Sequence, residues 1–295
     1  MIITGIPFDE KLNIGVLSKV FERKRISNCY KYFWFQAILE NIVEDKVVFT
    51  YDEILNQMIE DAWYMVTEFK LRLGPCNTTD NLEEVVKYIH SKSNISSTAK
   101  RGSVIQYLKE NTDPKIKKYK KCLIENVPYC MQSPFYSSIK NPGQSKVYKI
   151  NEQAHLLYYF VALEGIFSKF KINEEWVDYL IRNRTILLEW VRYNLIGYLQ
   201  DRNPNVPGIV EKIQKPEKRD LRRVSDYWKT IIEIDPKIKE IYQKVSLKDR
   251  PISIDHFVPW QYLSHDELWN LSPTTKNINS MKGNQLPNLY EDFER

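Results

Sequence analysis

The chain has 295 residues, 43% of them hydrophobic and 27% charged, with a formal net charge of +5. That length allows one large folded unit or two ordinary ones, and the composition is that of a globular protein, not a fibrous or disordered one. No apolar run reaches bilayer-spanning length, and the N-terminal residues lack a secretory leader's basic-then-apolar pattern, so a cytoplasmic protein without a membrane partner is expected. The four cysteines, Cys29, Cys76, Cys122 and Cys130, form no C-x-x-C pair. This spacing speaks against a disulfide framework or a structural zinc cluster, and for buried free thiols.

Charge is unevenly spread. The stretch from Glu40 to Asp61 is acid-rich, Lys115 to Lys121 holds five lysines in seven residues, and a second basic stretch runs from Lys212 to Lys229. Such clusters matter more than the net charge when a polyanionic partner is considered.

In chain order, Asn28 to Glu40 is apolar on nearly every side and predicts a buried helix, with Ser27 or Asn28 as its cap. A β-like run, Lys46 to Thr50, precedes a helix over Tyr51 to Lys70, where Ile54, Met58, Ala62 and Met65 recur at helical spacing. Asp52 and Glu53 suit its first turn. Further helices are expected near Asn81 to Ser91, Ala99 to Glu110 and Pro114 to Glu125. After a proline-punctuated stretch, Lys146 to Ile150 and Leu156 to Val161 read as strands. One long helix is expected from Glu174 to about Gln200, ended by the breaker Asp201 to Gly208. That breaker is taken as the linker between residues 1–208, a helix-rich recognition or regulatory domain, and residues 209–295. A basic amphipathic helix, Glu217 to Ile232, leads into the C-terminal part; its Lys218, Arg219, Arg222 and Arg223 are the candidates for nucleic-acid contact.

The informative stretch is Ile252 to Pro287. Ile252 and Ile254 read as a strand running into Asp255 and His256, with Pro259 supporting an exit there. Leu268 to Leu271 reads as a second strand closed by Pro273. Thr274 or Thr275 can cap a helix to about Met281, stopped by Gly283 and Asn284. On that helix Ile278 and Met281 share an apolar face, and Asn279 and Lys282 share a polar one. Trp260 and Trp269 read as core residues, and His265 as a surface or supporting residue. The expected fold class is mainly α with a small α+β module.

On the Asp255-His256 pair, the Trp269-Asn270-Leu271 run and the Asn279-Ser280-Met281-Lys282 run, the sequence resembles the HNH endonucleases, whose ββα-metal fold follows this order of elements. The core of the resemblance covers residues 252–287. More loosely, the helical N-terminal part and the Arg202 to Pro207 loop look like a group of bacterial stand-alone HNH proteins. The resemblance implies that His256 is the general base, that Asp255 and Asn279 hold one divalent metal, Mg²⁺ or Mn²⁺, and that Asn270 fixes the loop bearing the histidine. It also implies a cut leaving a 5′-phosphate and a 3′-hydroxyl in DNA, in a setting such as restriction or anti-phage defence.

The residue types suit that chemistry. Neutral histidine accepts a proton from water near neutral pH, while a carboxylate and an amide oxygen are hard ligands that leave coordination positions for water and phosphate. Lys282 is placed to contact the phosphate. Many HNH modules carry cysteine pairs for a structural zinc; Thr275 and Ile278 stand at C-x-x-C spacing here, so no structural zinc is expected, with packing by Leu271, Ile278 and Met281 in its place. One such site cuts one strand, so a dimer partner or a partner protein would supply double-strand cutting or specificity. The alternatives are a strand-nicking or RNA-cutting enzyme with the same site, and an inactive nucleic-acid binding module.

Overall fold

The computed structural model describes residues 5–75, 78–136, 138–215, 220–264 and 266–286. Cys76, Lys218, Arg219 and His265 lie outside the described residues. The protein is mainly α-helical with a small α+β module, and it divides into two compact units, Met1–Pro204 and Asn205–Arg295. Cys29, Cys122 and Cys130 are free thiols.

The first unit is built on two buried helices, α1 (Tyr30–Asn41) and α2 (Tyr51–Thr67). Phe33, Trp34 and Phe35 of α1 are fully buried, which explains its lack of a polar face. Asn28 supports its start by accepting from the Tyr30 N–H at 3.1 Å. Helix α2 begins with a capping box: Thr50 Oγ1 accepts from the Glu53 N–H at 3.1 Å, and Glu53 Oε2 accepts from the Thr50 N–H at 2.8 Å. Around these pack α3 (Asn81–Lys92), α4 (Ser103–Glu110) and α5 (Pro114–Ile124). The lysine cluster lies on α5, where Lys120 is buried and pairs with Asp52 at 2.6 Å.

A three-stranded antiparallel sheet joins β1 (Val48–Thr50), β3 (Lys169–Ile172) and β2 (Tyr158–Ala162), with β3 in the middle. Phe170 of β3 faces Phe49 and Phe160 in register and is wholly buried. The run Lys146 to Ile150 is not a strand. It lies largely in a short helix, α6 (Val147–Asn151), whose buried Val147 and Ile150 stand three apart, while Asn151 bonds the Phe160 main chain through both ends of its amide at 2.8 and 3.0 Å. The long helix expected from Glu174 is two, α7 (Glu174–Arg182) and α8 (Arg184–Arg202). Between them the Asn183 amide donates to the Tyr179 carbonyl at 3.0 Å, a local bond of the kind that competes with regular helix.

A buried acid pair marks the first unit. Gln57 Nε2 donates to Glu40 Oε2 at 2.9 Å and to Asp61 Oδ1 at 2.8 Å, and Arg101 pairs with Glu40 at 2.6 Å. Burial, with the nearby Glu40 charge adding to it, pushes the Asp61 carboxyl well above the usual carboxylate range. A group whose folded-state pKa is raised takes up a proton on folding, so stability falls as pH rises above the ordinary aspartate value of about 4 toward the folded value. Asp61→Asn is expected to flatten that fall; urea unfolding of both proteins across this range measures it, and equal slopes would contradict it.

Candidate active site

The second unit opens with the short helix Ile209–Lys212 and continues through α9 (Arg222–Ile234) to a two-stranded antiparallel hairpin. Its strands are β4 (Ser253–His256) and β5 (Leu271–Thr274), with His256 opposite Leu271 and Asp255 opposite Ser272. A single turn, α10 (Trp260–Leu263), lies between them, and α11 (Lys276–Lys282) follows. Thr275 caps α11 by accepting from the Ile278 N–H at 3.4 Å, and Gly283 ends it at φ +53°.

The second strand therefore lies later than the sequence suggests. Leu268–Asn270 forms a 3₁₀ turn and Pro273 sits inside β5. Asn270 is drawn out of the strand by its own side chain: Oδ1 accepts from the Val258 N–H at 2.7 Å and Nδ2 donates to the Val258 carbonyl at 2.9 Å. The Asn270 carbonyl also accepts from the Phe257 N–H at 2.9 Å. Proline is tolerated in β5 because a strand with one partner has an edge that needs no ladder donor.

Asp255 and His256 end β4 together, both buried. Asp255 Oδ2 accepts from the Tyr242 hydroxyl at 2.6 Å and pairs with Lys282 Nζ at 3.1 Å. The same ammonium donates to the His256 carbonyl at 2.7 Å and lies 5.7 Å from the Tyr242 ring centre. His256 Nε2 is 2.7 Å from Asp266 Oδ1, and the edge of the imidazole meets Trp260 at a centroid distance of 5.8 Å. Asn279 turns its amide nitrogen toward β4, donating to Ser253 Oγ at 2.9 Å and to the Ile254 carbonyl at 3.2 Å.

Asn270 and Lys282 thus reach the end of β4 that carries Asp255 and His256, whereas Asn279 bonds Ser253 and Ile254 at the start of that strand. Lys282 lies on Asp255 and on the main chain of His256, its side chain only 9% exposed. Arg222 and Arg223 are exposed in the first turn of α9, with Arg222 donating to Asp220 at 2.8 and 2.9 Å. That guanidinium pushes the Asp220 carboxyl down to about 2.

Several sequence expectations change here. Leu271 and Ile278 are buried, but Met281 is 64% exposed and does not join their packing. Trp269 is 64% exposed, not core, and Trp260 is half-buried. Lys212 is no surface charge: it is wholly buried, donating to the carbonyls of Pro207 at 2.5 Å and Tyr262 at 2.7 Å, and burial lowers its pKa. Tyr242 and Asp266 carry no local signal. Tyr242 stands ten residues before the motif, and Asp266 is one of two adjacent acids in an irregular loop.

Asp255 and Asn279 carry hard oxygen donors of the kind a divalent cation takes, and they are the residues that would hold one. Asp255 is a buried carboxylate that already draws an ammonium and a hydroxyl proton to itself, and the Asn279 amide, with its nitrogen spent on β4, has its oxygen left as a neutral hard donor. Among the described residues there is no group of three or more His, Cys, Asp or Glu that could hold a metal. A sparse oxygen set of this kind suits magnesium, which keeps several waters and binds substrate phosphate.

The Asn270 bonds give a direct test of how the hairpin is held. Asn270→Ala leaves the N–H and carbonyl of Val258 without their side-chain partners, and is expected to destabilise the C-terminal unit by about 2–3 kcal/mol. Urea unfolding with hydrogen exchange over residues 257–263 checks it; wild-type exchange at Val258 would show that the amide is not the clamp.

Residues 239–288 match the family model of the HNH endonucleases. No curated protein and no solved structure matches the chain. The matched segment starts at Lys239 and runs through Tyr242, β4, the Asn270 turn and α11, so it takes in every group gathered around Asp255 and His256. By that match the C-terminal segment of this chain, residues 239–288, is similar to the HNH endonucleases.

Proposed function

We propose that the C-terminal unit is a metal-dependent endonuclease that hydrolyses phosphodiester bonds in DNA, with His256 as general base. The observation that carries this reading is the joint burial of Asp255 and His256 at the end of β4, each held by a partner of its own. Asp255 and the Asn279 oxygen would hold one Mg²⁺ or Mn²⁺. Bound there, the ion would polarise the scissile phosphate and offset charge on the leaving oxygen.

The chain's own residues do the rest. His256 takes a proton from the attacking water, and the Asp266 carboxylate keeps the ring oriented and favours the imidazolium that results. Tyr242 fixes the Asp255 carboxylate, an outer partner of the sort that tunes ligands. Lys282 balances the buried negative charge and ties α11 to β4. Asn270 holds the segment that leaves His256. Lys218, Arg219, Arg222 and Arg223 form a basic stretch ahead of the module; Arg222 and Arg223, exposed on α9, suit sequence-independent contact with phosphates. One site of this kind cuts one strand, which favours nicking unless two copies act. A setting such as restriction or anti-phage defence is part of the same proposal.

Purified protein with supercoiled plasmid and Mg²⁺ or Mn²⁺ is expected to give nicked product that EDTA abolishes. His256→Ala is expected to reduce the rate at least about 100-fold, as loss of a general base does. Metal-dependent cutting at the wild-type rate in the variant would remove His256 from the mechanism.

A further inference from the structure

Helix α8 carries a glycine that its own packing does not require. Gly197 stands well inside Arg184–Arg202, and a methyl group added there would meet no other side chain or segment within 4 Å. A glycine inside a helix is destabilising relative to alanine, so one that no close neighbour demands is explained by the space it leaves. Tyr193 lies one turn before it and Asp201 one turn after it, on the same face of the helix. The bare backbone between them makes that face concave.

The concavity is part of a cleft of about 430 Å³ within the first unit, walled by α8, by Tyr32 of α1 and by the Phe21 to Arg23 segment. That volume is in the range of small-molecule sites. Several of its groups are left unspent. Tyr32 is only 4% exposed and lines the cleft, yet its hydroxyl has no hydrogen bond among the described residues. Burial pushes its pKa up, so the hydroxyl keeps its proton and can donate. Asn194 gives its amide N–H to the Trp190 carbonyl at 2.7 Å, which leaves Oδ1 as an acceptor. Tyr193 is 77% exposed, and no ring contact or hydrogen bond engages it among the described residues. At the rim Arg23 and Asp201 pair at 3.0 Å with side chains 88% and 53% exposed, a solvated pair that costs little to open.

These groups select a ligand by chemistry. The phenol rings favour a flat ring, and the Tyr32 hydroxyl and Asn194 oxygen favour ring nitrogens and an amine at its edge. The Arg23 guanidinium favours an anion at the mouth. A nucleotide carries all three features.

We propose that this cleft binds a nucleotide, with the base inside against the concave face of α8 and the phosphate toward Arg23. The site lies wholly in the first unit, so it stands or falls independently of the nuclease reading.

The test is calorimetric titration of the full chain with 5′-mononucleotides and, for comparison, inorganic phosphate. A mononucleotide is expected to bind once per chain, and phosphate alone at least about ten-fold more weakly. Gly197→Leu fills the concavity with a good helix former; it is expected to lower nucleotide affinity at least about ten-fold while the thermal melt is kept or raised. Tyr32→Phe is expected to weaken the nucleotide several-fold, and Arg23→Gln to weaken the nucleotide but not the matching nucleoside. Displacement of the bound mononucleotide by a short oligo-dT assigns the site to a base carried on a strand; no displacement assigns it to the free nucleotide. Equal nucleotide affinity in wild type and Gly197→Leu overturns the site, as does failure of every mononucleotide to bind. Phosphate binding as tightly as the nucleotide overturns the role given to the base.

Discussion

The C-terminal unit depends on one side chain, the amide of Asn270, which bonds both main-chain groups of Val258. A two-stranded hairpin of four-residue strands has too little ladder and too little buried surface to be stable alone. The amide acts in place of further ladder: it pins the chain leaving β4 to the turn entering β5, so the strand ends at His256 and cannot slip. From the α9 side, Trp228 donates its indole N–H to the Leu271 carbonyl at 2.9 Å, and Ile278 of α11 is buried in the same unit. The chemistry follows from that geometry, because the end of β4 is where adjacent strand residues, which otherwise point to opposite faces, can serve one site.

Electrostatics is the second constraint. A carboxylate as buried as Asp255 is unfavourable unless compensated, and an ammonium as buried as that of Lys282 is equally so. Placing one against the other, with Tyr242 donating to the carboxylate, resolves both. Lys282 is more than a counter-charge, because its second bond, to the His256 carbonyl, joins the helix to the strand that carries His256. The Asp266–His256 contact repeats the arrangement on the other residue of the pair.

Much of this was legible in the sequence because it is local. Asp255, His256, Asn279 and Lys282 lie on a strand and a helix whose signals are local, with Thr275 and Gly283 marking the helix ends by ordinary capping chemistry, whereas the second strand begins at Leu271, after the turn that holds Asn270. What was not legible depends on contacts across distance. Tyr242 reaches Asp255 from thirteen residues away, and Lys212 reaches the carbonyl of Tyr262 from fifty. Trp269 reads as core by residue type, yet the turn that Asn270 imposes faces it to solvent. In the N-terminal unit the same limit appears in another form. The buried helix α1 and the capping box of α2 are written in neighbouring residues, whereas Asn151 making α6 a partner of β2 is not.

The central claim is that Asp255 is the charged ligand of a single divalent cation. Calorimetric titration of Mn²⁺ into the full chain and into Asp255→Asn tests it without relying on catalysis; the substitution keeps one acceptor oxygen for Tyr242 while removing the carboxylate charge that a cation and Lys282 share. The account predicts one ion per wild-type chain and an affinity lowered at least about ten-fold in the variant. Binding of equal strength in the two proteins would contradict it and place the cation elsewhere.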